Sequence, residues 1–148
     1  MSTIADYLTT DHKRCDDLFV DAENNVGSKA WEWAEASFAL LREAIEHHFS
    51  IEEEILFPAF ESATGNGNGP TSVMRSEHQQ IRGLLSNLAD ALAQHDKVAY
   101  LGHSESLNIM SQQHNMKEEN ILYPMTDRVL VVQQPVLLAE MHRLAASA

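Results

Sequence analysis

Histidine and glutamate recur in one pattern at two places in the chain. The first copy is His48-x3-Glu52-Glu53-x-Ile55-Leu56-Phe57-Pro58; the second is His114-x3-Glu118-Glu119-x-Ile121-Leu122-Tyr123-Pro124. The copies stand 66 residues apart, six of their eleven positions are identical, and a seventh exchanges Phe for Tyr. On a helix, residues four apart share one face, about one turn from each other. Each copy therefore aims an imidazole nitrogen and a carboxylate oxygen the same way. Two such pairs are what a two-metal site inside a helix bundle requires.

The elements that must position these pairs are legible from the apolar spacing, which is helical almost throughout and shows no convincing period-two run. The spacing predicts a first helix over about residues 3–24 and a long second helix over about 28–61. The stretch Thr64-Gly-Asn-Gly-Asn-Gly-Pro70 breaks the pattern, because Gly and Asn accept left-handed backbone and Pro70 can start a helix. A third helix then runs to about Gln94, a fourth from about Lys97 to Tyr123, and a short terminal one from Pro135 to about Ala145. Pro58 and Pro124 are expected to kink or end their helices. Short links imply an all-α, up-down-up-down four-helix bundle with a short extra C-terminal helix. No linker marks a second domain, so residues 1–148 are expected to form one.

Along the core face of the second helix the order is Phe38, Leu41, Ile45, His48, Glu52, Ile55, Ala59; along the fourth it is Leu107, Met110, His114, Glu118, Ile121, Met125. Both pairs occupy positions that should be apolar. A buried carboxylate without a partner costs several kcal/mol and tends to protonate, so two on facing helices call for cations between them. The remaining helices each add a histidine to the same interior: His12 between Leu8 and Cys15, and His78 between Met74 and Ile81. The candidate ligand set is His12, His48, Glu52, His78, His114 and Glu118. All are nitrogen or hard-oxygen donors without thiolate, which favours iron or manganese over a structural zinc. A lone histidine on an apolar face is more often a hydrogen-bonded core residue, and one His-x3-Glu pair has little specificity. The repetition decides for metal.

Composition bounds the rest. A length of 148 residues, 44% of them hydrophobic, suffices for a real core. No apolar run approaches the roughly 18 residues a membrane span needs. No signal peptide is visible at the N-terminus, and one cysteine fits a reducing compartment, so the expected location is cytoplasmic. With 22 acidic against 10 basic residues the net charge is −12, which argues against nucleic acid as a partner. The order His, His-x3-Glu, His, His-x3-Glu, with the tails Glu-Glu-x-Ile-Leu-Phe/Tyr-Pro, resembles the hemerythrin-like, or HHE cation-binding, domains over nearly the whole chain.

The resemblance implies a non-haem di-iron centre, two iron ions bridged by an oxo or hydroxo group. His12, His48, His78 and His114 would then be terminal ligands, and Glu52 and Glu118 bridges, with manganese or zinc as substitutes. Oxygen-carrying hemerythrins place a further histidine where this chain has Arg82, and they end in His-x4-Asp rather than His114-x3-Glu118. The chain is closer to the di-iron domains of iron–sulfur cluster repair proteins, though without their cysteine-bearing N-terminal extension. The implied function is binding or sensing of small oxidants such as oxygen, nitric oxide or peroxide. The alternative is a redox enzyme on the same centre, reducing peroxide or nitric oxide or repairing clusters by donating iron. A ferritin-like oxidase would need Glu-x-x-His pairs, and no histidine here has a glutamate three residues before it.

Several further residues carry two readings each. Arg82 either pairs with a carboxylate or anion near the site or carries its charge out of the bundle. Glu53 and Glu119 are either hydrogen-bond partners around the site or solvated. His103 joins the ligands only if the helix register is unusual. Cys15 reads either as a small core filler or as a thiol with a redox role near the site.

Overall fold

Thr3 starts the first helix. Its hydroxyl accepts from the Asp6 N–H at 3.0 Å, and the Asp6 carboxylate accepts from the Thr3 N–H at 3.1 Å, a reciprocal cap. The computed structural model describes residues 2–146, and no strand occurs among them. The helices are α1 (Ile4–Gly27), α2 (Trp31–Ile51), α3 (Phe57–Thr64), α4 (Pro70–Ala93), α5 (Lys97–Lys117), α6 (Tyr123–Val129) and α7 (Gln134–Ala146). A π-helical turn over Glu52–Leu56 joins α2 to α3, and a second over Glu118–Leu122 joins α5 to α6. Gly65, at φ 67, ends α3 in the left-handed region, and Pro70 opens α4 at a position that needs no N–H.

The four long helices form the expected up-down-up-down bundle, α1 packing on α2 and α5, and α4 on the same two. The α1–α2 and α4–α5 turns meet at one end, where His95 stacks on Trp31 with ring centroids 4.5 Å apart. The terminal helix α7 packs into the bundle, with Leu137 and Met141 buried against α1 and the segment after α2. Two histidines outside the polar layer make contacts of their own: His47 reaches the Leu144 carbonyl, and His142 packs on Tyr7.

Two expectations need correction at the prolines. Pro58 and Pro124 do not end their helices; each becomes the second residue of the following helix, and the chain runs on to Thr64 and Val129. The preceding π turn makes room, with the N–H of Phe57 bonding to the Glu52 carbonyl and that of Tyr123 to the Glu118 carbonyl. Arg75 Nη2 donates to the Glu53 carbonyl at 3.5 Å, covering one acceptor near the widened turn. The extra residue also shifts the inward face. Leu56, Phe57 and Phe60, and Leu122, Tyr123 and Thr126, are buried, whereas Ile55, Ala59 and Met125 are only half-buried and Ile121 is exposed.

The apolar interior divides in two. One cluster, around Phe38, Leu41, Leu85, Leu88, Tyr100 and Leu107, fills the end with the turns. The other, around Ile4, Leu8, Leu56, Phe57, Phe60, Leu122 and Tyr123, fills the opposite end. Between them lies a polar layer.

Candidate metal centre

His12, His48, Glu52, His78, His114 and Glu118 are all buried in that layer, at 0–4% exposure, so each side chain has been withdrawn from water. Their ligand atoms converge in two groups: Glu52, His78, His114 and Glu118; and His12, His48 and Glu118. Within each group the donor atoms lie within 4.8 Å of one another, and Glu118 belongs to both. His12 Nε2 stands 3.1 Å and His114 Nε2 3.3 Å from Glu118 Oε1, while His78 Nε2 and His48 Nε2 stand 3.1 and 3.5 Å from Glu52 Oε1. His103 is half-exposed on α5 and lies outside both groups.

A ring of carboxylates fixes the outer side of every imidazole. Asp11 on α1 accepts from His48 Nδ1 at 2.8 Å, and Glu53, after α2, accepts from His78 Nδ1 at 2.6 Å. Glu77 on α4 accepts from His114 Nδ1 at 2.7 Å, and Glu119, after α5, accepts from His12 Nδ1 at 2.7 Å. A carboxylate only accepts, so each Nδ1 carries the proton and each Nε2 is left to face the interior. Each helix thus holds the histidine of the next, and the circuit closes from α5 back to α1. This is the support a histidine ligand needs to keep its orientation.

Sequence reasoning anticipated Glu53 and Glu119 in this role but missed Asp11 and Glu77. Their shared signal was their place directly before His12 and His78. Arg82 resolves to the pairing alternative. Its Nη1 and Nη2 donate to the two oxygens of Glu53 at 3.0 and 3.1 Å, and its Nε donates to Glu46 at 2.9 Å. Lys117 likewise pairs with Glu77.

The interior side is not satisfied by the protein itself. Glu52 Oε1, Glu118 Oε2, His78 Nε2 and His114 Nε2 are buried and make no hydrogen bond, although the first and third lie only 3.1 Å apart. Orphaned buried donors and acceptors are rare, and four at one point need a common partner. The nitrogen and carboxylate set fits a cation such as iron or manganese.

Within the layer, imidazoles and carboxylates shift one another. Burial pulls His48 down, but Glu52 and Asp11 outweigh it and its pKa rises well above the usual value. His114, also opposed by burial, is raised to about 9, chiefly by Glu118. Burial would lift the Glu52 carboxyl, yet His48 and the surrounding hydrogen bonds hold it well below the usual range.

The hydroxyl of Tyr123, absent from the candidate set, enters the same layer. It donates toward Glu52 Oε2 at 2.8 Å and Glu118 Oε1 at 3.0 Å, and lies 3.2 and 3.3 Å from the Nε2 atoms of His12 and His48. Burial, together with Glu118 and Glu52, pushes its pKa well above 10.

A cavity of about 40 Å³ opens beside His12, His48 and His114, lined by Cys15, Asp16, Phe49, Ser111, Gln112 and Asn115 among others. At the related place in the other half of the repeat, larger groups fill the space. Phe49, in register with Asn115, stacks on His78 at 3.7 Å, and Arg82, in register with Asp16, lies over the Phe49 ring at 5.1 Å. The cavity therefore lies on one side of the layer, and most of its polar lining comes from α1 and α5.

Comparison with known proteins follows the same lines. The family model described as the hemerythrin HHE cation binding domain matches residues 3–126, which include all six residues of the two groups. The chain belongs to the hemerythrin HHE cation-binding family. It is also similar to the iron–sulfur cluster repair protein YtfE of Edwardsiella ictaluri (strain 93-146), at 34% identity over 94 residues. That match covers 57% of this chain and 42% of the relative, so the hemerythrin-like chain spans under half of that protein's length. No solved structure matches. Among the described residues, no helix is long and apolar enough to cross a membrane.

Proposed function

We propose that residues 1–148 act as one unit holding two iron ions, bridged by an oxo or hydroxo group, that binds or senses small oxidants such as oxygen, nitric oxide or peroxide. In this reading His12 and His48 hold one metal, His78 and His114 hold the other, and Glu52 and Glu118 bridge them. The observation that carries it is the pair of ligand groups sharing Glu118 around four orphaned polar atoms. Iron at this position supplies a redox-active centre for small oxygen and nitrogen species. The protein's own part is orientation and exclusion. The carboxylate ring holds the imidazoles, and the two apolar clusters keep bulk water out. The cavity of about 40 Å³ suits a diatomic or peroxide, since one water needs roughly 10–15 Å³ by the same measure. A reducing, cytoplasmic setting belongs to the proposal and is supported by the single, half-buried cysteine.

A second reading, redox enzyme or cluster repair by iron donation, is favoured by the likeness to a protein named for iron–sulfur cluster repair. Anaerobic iron loading followed by metal counting, then spectra after adding oxygen, peroxide or nitric oxide, separates the two. A stable, reversible adduct supports binding or sensing; consumption with return of the starting spectrum supports the enzyme. Fewer than two irons per chain would remove the dinuclear assignment. Glu118→Ala, which strikes both groups, is expected to lose more metal than His12→Ala, and equal retention would count against the bridging role.

A further inference from the structure

The internal repeat is not symmetric at its tail. Phe57 and Tyr123 hold equivalent places, and their rings are set alike. Phe57 lies 5.7 Å from His78 with planes 23° apart, and Tyr123 lies 5.6 Å from His12 with planes 25° apart. Only the second ring carries an oxygen. That oxygen is buried and lies 3.2, 3.3 and 3.0 Å from His12 Nε2, His48 Nε2 and Glu118 Oε1, the three donors of one metal group, and 2.8 Å from Glu52 Oε2.

These spacings describe a coordination shell. At metal–ligand distances of about 2.1 Å, neighbouring corners of an octahedron stand about 3.0 Å apart. The single phenol proton serves Glu52 or Glu118, while His12 Nε2 and His48 Nε2 stand against the same oxygen, so four ligand-type atoms converge on one point.

We propose that Tyr123 is an oxygen ligand of the metal held by His12 and His48, so that the two metal positions are chemically unequal: one has a phenolate, and the other faces the bare ring of Phe57. The inference rests on the dinuclear reading above. Coordination replaces the O–H bond by an O–metal bond, and the displaced proton leaves to solvent.

The test is loading with ferric iron, followed by visible absorption and resonance Raman spectra. The loaded wild type is expected to show a phenolate-to-iron charge-transfer band with enhanced ring modes. Tyr123→Phe should keep its metal and lose the band entirely. Phenylalanine already fits the matching place in the first half, and a melting curve checks that the variant folds. The chain has three tyrosines. Tyr7→Phe with Tyr100→Phe leaves Tyr123 as the sole phenol without altering the site, and the band should persist at wild-type intensity. Its absence from the loaded wild type, survival in Tyr123→Phe, or loss in the Tyr7/Tyr100 double variant would overturn the assignment. Two irons per chain without the band would remove the ligand and keep the dinuclear reading. One iron with the band would do the reverse.

Discussion

Arg82 spans Glu46 and Glu53, and Glu53 in turn fixes the Nδ1 side of His78. Where an oxygen carrier of the family would set another histidine, this chain has a cation one step removed from the centre. Arg82→Met should leave the metals in place but weaken them about 10-fold, the usual cost of losing such support, read by competition with a chelator. Unchanged affinity would return Arg82 to a surface role. Cys15 lines the cavity, yet burial pushes its thiol up to about 11. A raised pKa leaves little thiolate at neutral pH, so alkylation by iodoacetamide should be slow at pH 7.5 and accelerate only as pH nears 11. Rapid labelling of the folded protein at pH 7.5 would contradict that.

The π turns decide what the helices after them can reach. In an α-helix the fifth residue after Glu118 points about 140° away from it; the wider turn brings it nearly back above. Tyr123 enters the polar layer for that reason. Inserting one alanine after Asn120 should turn Leu122 and Tyr123 about 100° further round the helix and out of the core, lowering Tm by at least about 5 °C. A variant as stable as wild type would mean that packing does not fix the register after the turn. The same feature marks the limit of legibility. Helix order, the inward histidines and both His-x3-Glu pairs follow from a period of 3.6, and the structure brings all six candidates together. Ile55 and Ile121 were assigned to the core by that period, and Tyr123 was passed over by it, because a single added residue is invisible in apolar spacing. Asp11 and Glu77 were missed for another reason. They act between helices, and their partners His48 and His114 are 37 residues away.

At the scale of the molecule, metals and protons compete for one cage. Without metal, His114 is raised to about 9 and His48 is raised as well, against about 6.5 in an unfolded chain. Protonation then favours the folded state, fully below about pH 6.5 and progressively less as pH climbs through 9. Tm of the chelated protein should fall across that window, while the metal-loaded protein, its imidazoles already deprotonated, should change less. A chelated protein whose Tm stays flat or rises from pH 6.5 to 9 would exclude this balance.

The repeat also bears on how such a molecule can arise. Residues related by a shift of 66 hold equivalent places, so two copies of one helical hairpin could build the same cage by pairing face to face. A dimer of identical hairpins must, however, carry the same residue at both places. Phe57 opposite Tyr123, Arg82 opposite Asp16 and Phe49 opposite Asn115 are differences that a pair of identical hairpins cannot encode. Joining the halves is what allows one flank of the cage to be sealed and the other left open.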